Sequence, residues 1–188
     1  MNRNIVTGLS NKELDELARN LDKWAEMMKK ASINIVKDLS EYGLQRMQEI
    51  YAEAQSQYED STYMDFSITG SETEKTVSMS GPQALYDEFG TGTIGEQNPH
   101  PAKKEFGLNP YNDGSTIRKA KNEIINKETG EKIPAGELYW TYKDETGQVH
   151  HTQGIPAQKE GYDSLKATIK KAPEIVKKRM EETLKWLA

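Results

Sequence analysis

The chain has no cysteine among its 188 residues. That absence removes disulfide staples, thiolate zinc sites, iron–sulfur clusters and cysteine nucleophiles. Long apolar runs are missing too, since none approaches the roughly 18 residues that cross a bilayer. The opening MNRNIVTGLSNKELDEL lacks the apolar stretch of a signal peptide. The expectation is therefore residence in a cytoplasm, with no membrane. Large apolar side chains are scarce: 35% of the residues are hydrophobic and the mean hydropathy is −0.86. One domain of this length buries roughly 70% of its unfolded surface. Such a polar chain has either an unusually polar surface or apolar faces that another subunit completes.

A dominant charge of one sign is also absent. The net charge is −5. Residues 1–60 carry 8 basic and 11 acidic side chains, residues 61–162 carry 10 and 15, and residues 163–188 carry 7 and 4. The sums are −3, −5 and +3. A nucleic-acid binder presents a larger basic face than this last segment offers. Lys170, Lys171, Lys177, Lys178 and Arg179 read as a solvated helix face. The sharper alternative is a complementary contact with an acidic neighbouring subunit.

What is present divides into helix, strands, loop, strands and helix. Ser10 and Glu13 form an S-x-x-E capping box ahead of Leu14, Leu17, Leu21, Trp24, Met28, Ala31 and Ile35. Their spacings of three and four make one narrow apolar stripe close to a heptad seam. It continues less cleanly through Leu39, Tyr42, Met47, Ile50 and Ala54, with a break near Ser32–Asn34 or a bend near Gly43. Such a helix must lie on a sheet, a second helix or a neighbouring molecule. Residues 63–69 and 75–79 alternate about the turn Gly70-Ser71-Glu72 and read as a hairpin, with Met64, Phe66 and Ile68 on one face. A smaller hairpin is expected at 124–126 and 131–133. The aromatic-rich strand Leu138–Lys143 pairs with 148–152 in a third. Residues 90–137 hold most of the prolines and few large apolar side chains, so they read as an elaborated loop. Leu165, Ile169, Ala172, Val176, Met180, Leu184 and Leu187 form a second helical stripe. Pro173 inside it either starts a new helix or kinks a continuous one. The fold class is α+β, with a small antiparallel sheet of hairpins between a long N-terminal and a C-terminal helix. It is one domain over 1–188, with a helical region at 10–58, the sheet at 62–157, the loop at 93–137 and the last helix at 162–187.

No constellation of residues calls for chemistry. Gly90-Thr91-Gly92-Thr93-Ile94-Gly95 matches G-x-G-x-x-G, but no strand-to-helix context surrounds it and Pro99 and Pro101 follow. Its glycines serve tight turns and close backbone approach. Adjacent His150 and His151 point to opposite faces of a strand. They and His100 read as surface polar groups rather than zinc ligands. Tyr139, Trp140 and Tyr142 lack the basic neighbours of a base-stacking platform, so core or interface packing is expected. The expectation is no catalytic residue, no cofactor and no metal.

Ala84-Leu85-Tyr86-Asp87-Glu88-Phe89-Gly90-Thr91-Gly92 resembles the Y-x-E-F/Y-G-T-G signature of phage tail-completion proteins. These are the head–tail joining, or neck, proteins of long-tailed phages. Gly154-Ile155-Pro156-Ala157 is similar to the family's G-x-P-A step, and the order of elements agrees. Tyr58–Thr62 stands where the family often has a Pro-x-x-Thr-Gly-x-Leu turn. The resemblance implies a tail-terminator-like fold and a non-enzymatic structural virion protein, made in the host cytoplasm. It further implies a homo-oligomeric ring, commonly hexameric. That ring would contact the head connector or stopper on one side and the tail terminator or tail tube on the other. DNA would pass through it without sequence-specific binding. Tyr86, Glu88, Phe89, Gly90, Thr91, Gly92, Trp140, Gly154 and Pro156 are the expected structural or interface residues. The alternatives are a tail terminator or minor capsid component, and behind these a DNA-binding or metal-dependent phage enzyme.

Overall fold

The computed structural model describes residues 10–55, 64–81, 84–97, 99–102, 118–126, 130–143 and 147–185. Helix α1 (Asn11–Gln55) opens on the expected capping box. Glu13 N–H donates to Ser10 Oγ at 3.3 Å, and Glu13 Oε2 accepts from Ser10 N–H at 2.7 Å. The Ser10 hydrogen bonds hold the Glu13 carboxyl below its ordinary range. The helix then runs unbroken for 45 residues, about 67 Å. The expected break at Ser32–Asn34 does not occur: the helix is continuous there, and the Ser32 hydroxyl is accommodated by donating to the Met28 carbonyl at 3.0 Å. Gly43 serves close packing instead of a bend. Its carbonyl accepts from Ser164 Oγ at 2.6 Å, and a Cβ there would stand 3.2 Å from Thr168 Oγ1.

Strands β1 (Asp65–Gly70) and β2 (Lys75–Ser80) form an antiparallel hairpin with Phe66 opposite Met79. The alternation holds: Met64 is buried and Phe66 and Ile68 are half-buried, while Asp65, Ser67 and Thr69 are exposed. Phe66 meets Tyr51 of α1 edge-on at 5.3 Å, which seats the hairpin on the helix. Two short helices follow, α2 (Ala84–Phe89) and α3 (Gly92–Gln97). Neither was legible in the sequence, and α3 occupies the start of the expected 93–137 loop.

The other hairpins lie where the alternation put them. Strand β4 (Ile124–Ile125) pairs with β5 (Lys132–Ile133), and β6 (Leu138–Lys143) pairs with β7 (Val149–Thr152). Strand β3 (Arg118–Lys119) adds to the free edge of β6. The expected single sheet is thus three small antiparallel sheets, β1-β2, β3-β6-β7 and β4-β5. The rest of the expected loop, 103–117 and 127–129, lies outside the described residues, as do 56–63 and 186–188.

Helix α4 (Glu160–Lys185) continues through Pro173 as one helix. It runs antiparallel along α1. Near its N-terminus Ser164 meets Gly43, and near its C-terminus Arg179 grips Asp38 through Nε–Oδ2 at 2.7 Å and Nη2–Oδ1 at 2.8 Å. This fork holds the Asp38 carboxyl below its ordinary range. Among the described residues no helix is long and apolar enough to cross a membrane.

Candidate functional site

The two sequence motifs meet backbone to backbone. Gly90 and Gly154 both have left-handed φ, +71° and +90°. A Cβ on Gly90 would stand 2.6 Å from the Ala157 nitrogen, and one on Gly154 would collide with the Thr91 carbonyl. Only glycine satisfies both the torsion and the space. Removing the side chains lets main-chain groups pair. Thr91 N–H donates to the Ile155 carbonyl at 2.9 Å, and Ile155 N–H returns to Thr91 Oγ1 at 3.2 Å. Ile94 N–H and Thr93 Oγ1 both reach the Gln153 carbonyl, and Gln158 N–H reaches that of Asp87. Residues 87–94 and 153–158 are thereby laced together without belonging to any sheet. Gly92 lies in the same contact, against the backbone of Gln153 and Gly154.

Glu88 ties this knot to α4. Its Oε2 accepts from Gly161 N–H at 2.8 Å and its Oε1 from Tyr162 N–H at 3.0 Å. These are orphan donors of the first helical turn, and the helix dipole favours an anion there. Glu88 Oε1 also accepts from His100 Nε2 at 3.0 Å. The other ring nitrogen, Nδ1, accepts from Ala102 N–H at 3.0 Å. One nitrogen accepting while the other donates assigns a neutral imidazole with its proton on Nε2. His100 is buried, and its ring packs between Phe89 at 4.6 Å and Tyr162 at 4.9 Å.

The histidine expectation is corrected here. His100 and His150 are both buried rather than surface groups, while His151 bonds Thr141 and meets Tyr139 edge-on at 5.2 Å. Opposite facing of His150 and His151 holds.

Glu160 was also missed. It is fully buried and neither carboxylate oxygen has a hydrogen-bond partner. Glu88 has taken the helix amides beside it. Burial pushes the Glu160 carboxyl up to about 8, and the negative charges of Glu88 and Asp87 add to that rise. The carboxyl is therefore largely protonated near neutral pH.

Eight of the nine expected residues lie in this knot, Tyr86 through its carbonyl, which accepts from Gly90 N–H at 2.7 Å, and the ninth, Trp140, reaches it through the Tyr86 ring. Tyr86 lies 6.3 Å, ring to ring, from the buried Trp140. Phe89 is buried against His100, and Glu88, Gly90, Thr91, Gly92 and Gly154 make the contacts above. Pro156 is half-buried between Ile155 and Ala157, and its carbonyl carbon lies 2.9 Å from where a Gly90 Cβ would stand. The G-x-G-x-x-G run has no preceding strand, and its helix is only six residues long. Among the described residues, no group of three histidines or carboxylates is placed to hold a metal ion. What the arrangement does chemically is hold three chain segments in a fixed relation. In the comparisons with known proteins, no family model, curated protein or solved structure matches this chain.

Proposed function

We propose that the chain is a structural protein of the neck of a long-tailed phage, completing the tail and joining it to the head connector. It acts as a homo-oligomeric ring, of the commonly hexameric kind the resemblance implies, and not as an enzyme. DNA passes through the ring without being read. One observation carries this reading. The EFGTG and GIPA segments, which carry the resemblance, pack against each other backbone to backbone and cap α4. Their residues are engaged in structural contacts, with Glu88 spent on helix amides and His100. Those roles support a scaffold more than a reaction centre.

Complementation tests the reading. A phage lacking the protein should yield mature heads and mature tails that fail to join, and the wild-type chain supplied in trans should restore joined virions. Normal joining without the protein would overturn it.

A further inference from the structure

Helix α1 has a surface that stays exposed among the described residues. Its heptad seam meets α4 through Ala31, which is 3% exposed and lies beside Arg179 and Thr183, and through Asp38, gripped by Arg179. Steps of seven carry the same seam back to Trp24 and Leu17, with Leu21 and Leu14 alongside. The last turns of α4 lie opposite Met27 and Ala31. Beyond that point the four large side chains are 46–57% exposed. A second bare stripe runs along α4 itself. Leu165, at the rim of the groove against α1, and Ile169, Val176 and Leu184 are exposed, while Ser164 and Arg179 take the contact with α1.

We propose that residues 11–26 of one copy dock on the outer stripe of α4 of a second copy. Three observations favour this occupant. First, the arm continues the very seam that already recognises an α4. Second, the lengths match: 16 arm residues span about 24 Å, and the 19 steps from Leu165 to Leu184 span about 28 Å. Third, the charges are complementary. Residues 11–26 carry three basic and five acidic side chains, whereas residues 163–188 carry seven and four. Lys170 and Lys177 are exposed on α4. Arm-to-arm pairing would bring two net-acidic segments together. The contact is heterologous, so each copy offers one arm and one stripe, and repetition closes a ring or extends a filament. The inference rests on the proposed ring for its closure, but the contact stands on these surfaces.

Sedimentation of the full chain should show concentration-dependent assembly beyond the dimer. Leu17→Ser with Leu21→Ser, and separately Ile169→Ser with Val176→Ser, should each weaken self-association roughly tenfold per residue. Mixed together, the two variants should form dimers and nothing larger, because one intact arm meets one intact stripe. Disulfide trapping gives a second readout, since the native chain has no cysteine. Leu21→Cys mixed with Ile169→Cys should give mixed disulfide in clear excess over random pairing, which by itself yields twice as much of it as of either homodisulfide. The proposal is overturned if the wild type stays monomeric at roughly 100 µM, well above the Kd of an ordinary specific contact. It is equally overturned if the α4 variant assembles as the wild type does, or if mixed disulfide does not exceed random pairing. Full complementation of the phage by the arm variant would also overturn the docking, while leaving the neck reading intact.

Discussion

The knot around Gly90 and Gly154 and the arm formed by residues 11–26 handle burial in opposite ways. In the knot the buried groups are largely polar: Thr91, Thr93, His100 and Glu160 are all nearly inaccessible. Main-chain amides and carbonyls there find partners in another segment, so burial leaves few of them unsatisfied. In the arm the apolar groups are exposed. Leu14, Leu17, Leu21 and Trp24 sit on a helix whose backbone is internally bonded, and among the described residues their side chains remain 46–57% exposed. A helix of that kind draws little stability from its own packing. The knot therefore holds the fold, and the arm is a surface the fold presents.

Substitution should separate the two most sharply at the glycines. Gly154→Val puts a β-branched side chain at φ +90° into the Thr91 carbonyl. We expect a loss above about 4 kcal/mol, enough to abolish cooperative folding. Gly90→Val should fail in the same way. Gly147 has a similar φ, +82°, but open space around it. Gly147→Ala should cost only about 1 kcal/mol of torsional strain. Thermal unfolding by circular dichroism distinguishes the two sites. Equal losses at 147 and 154 would remove close backbone approach as the cause.

Glu160 makes the second test. Its carboxyl is raised from 4.5 to about 8 in the folded chain. The folded state then binds more protons than the unfolded state between those values, so stability falls as pH rises through that window. Below about pH 4.5 the group is protonated in both states and costs nothing. Well above pH 8 the full penalty applies, on the order of 5 kcal/mol. Glu160→Gln removes the titration. Its advantage over the wild type should grow from about pH 4.5 and level off above about pH 8 in urea unfolding. Parallel pH profiles would show that Glu160 is not buried as described.

The sequence carried the secondary structure further than the site. Period-two alternation at 64–68 and period-seven spacing at 14–35 are local signals, and both hairpins and helices follow them. The capping box at Ser10 is local as well. Helices α2 and α3 were not legible, because six residues hold too few turns for a period to show. The glycines announced a close approach, but not what approached: Gly154 stands 64 residues from Gly90. The signature marked Glu88 as structural without saying what it holds, and its role appears only when the α4 amides arrive beside it. His100 and Glu160 became buried through the same long-range contact, which no spacing encodes.

Lys159 offers a smaller effect at the edge of the knot. It has φ +62°, the left-handed conformation that disfavours a side chain, immediately before α4 begins. Lys159→Gly should relieve that strain and stabilise the fold by about 1 kcal/mol. At this chain length that corresponds to a rise of roughly 2–4 °C in Tm. A lower Tm would mean that the aliphatic stem of the half-buried Lys159 contributes more packing than the torsion costs.

The smallest effect on the fold should come from the arm. Leu17→Lys with Leu21→Lys removes two large apolar side chains, a change that costs several kcal/mol in a packed core. Here both residues are about half-exposed and α4 does not reach them. Leucine and lysine also have nearly equal helix propensities. Under dilute conditions, where association does not contribute to Tm, the melting curve should shift by no more than about 0.5 kcal/mol. A large loss of monomer stability would show that the arm folds back onto its own chain. An unchanged monomer would leave its leucines available to another copy.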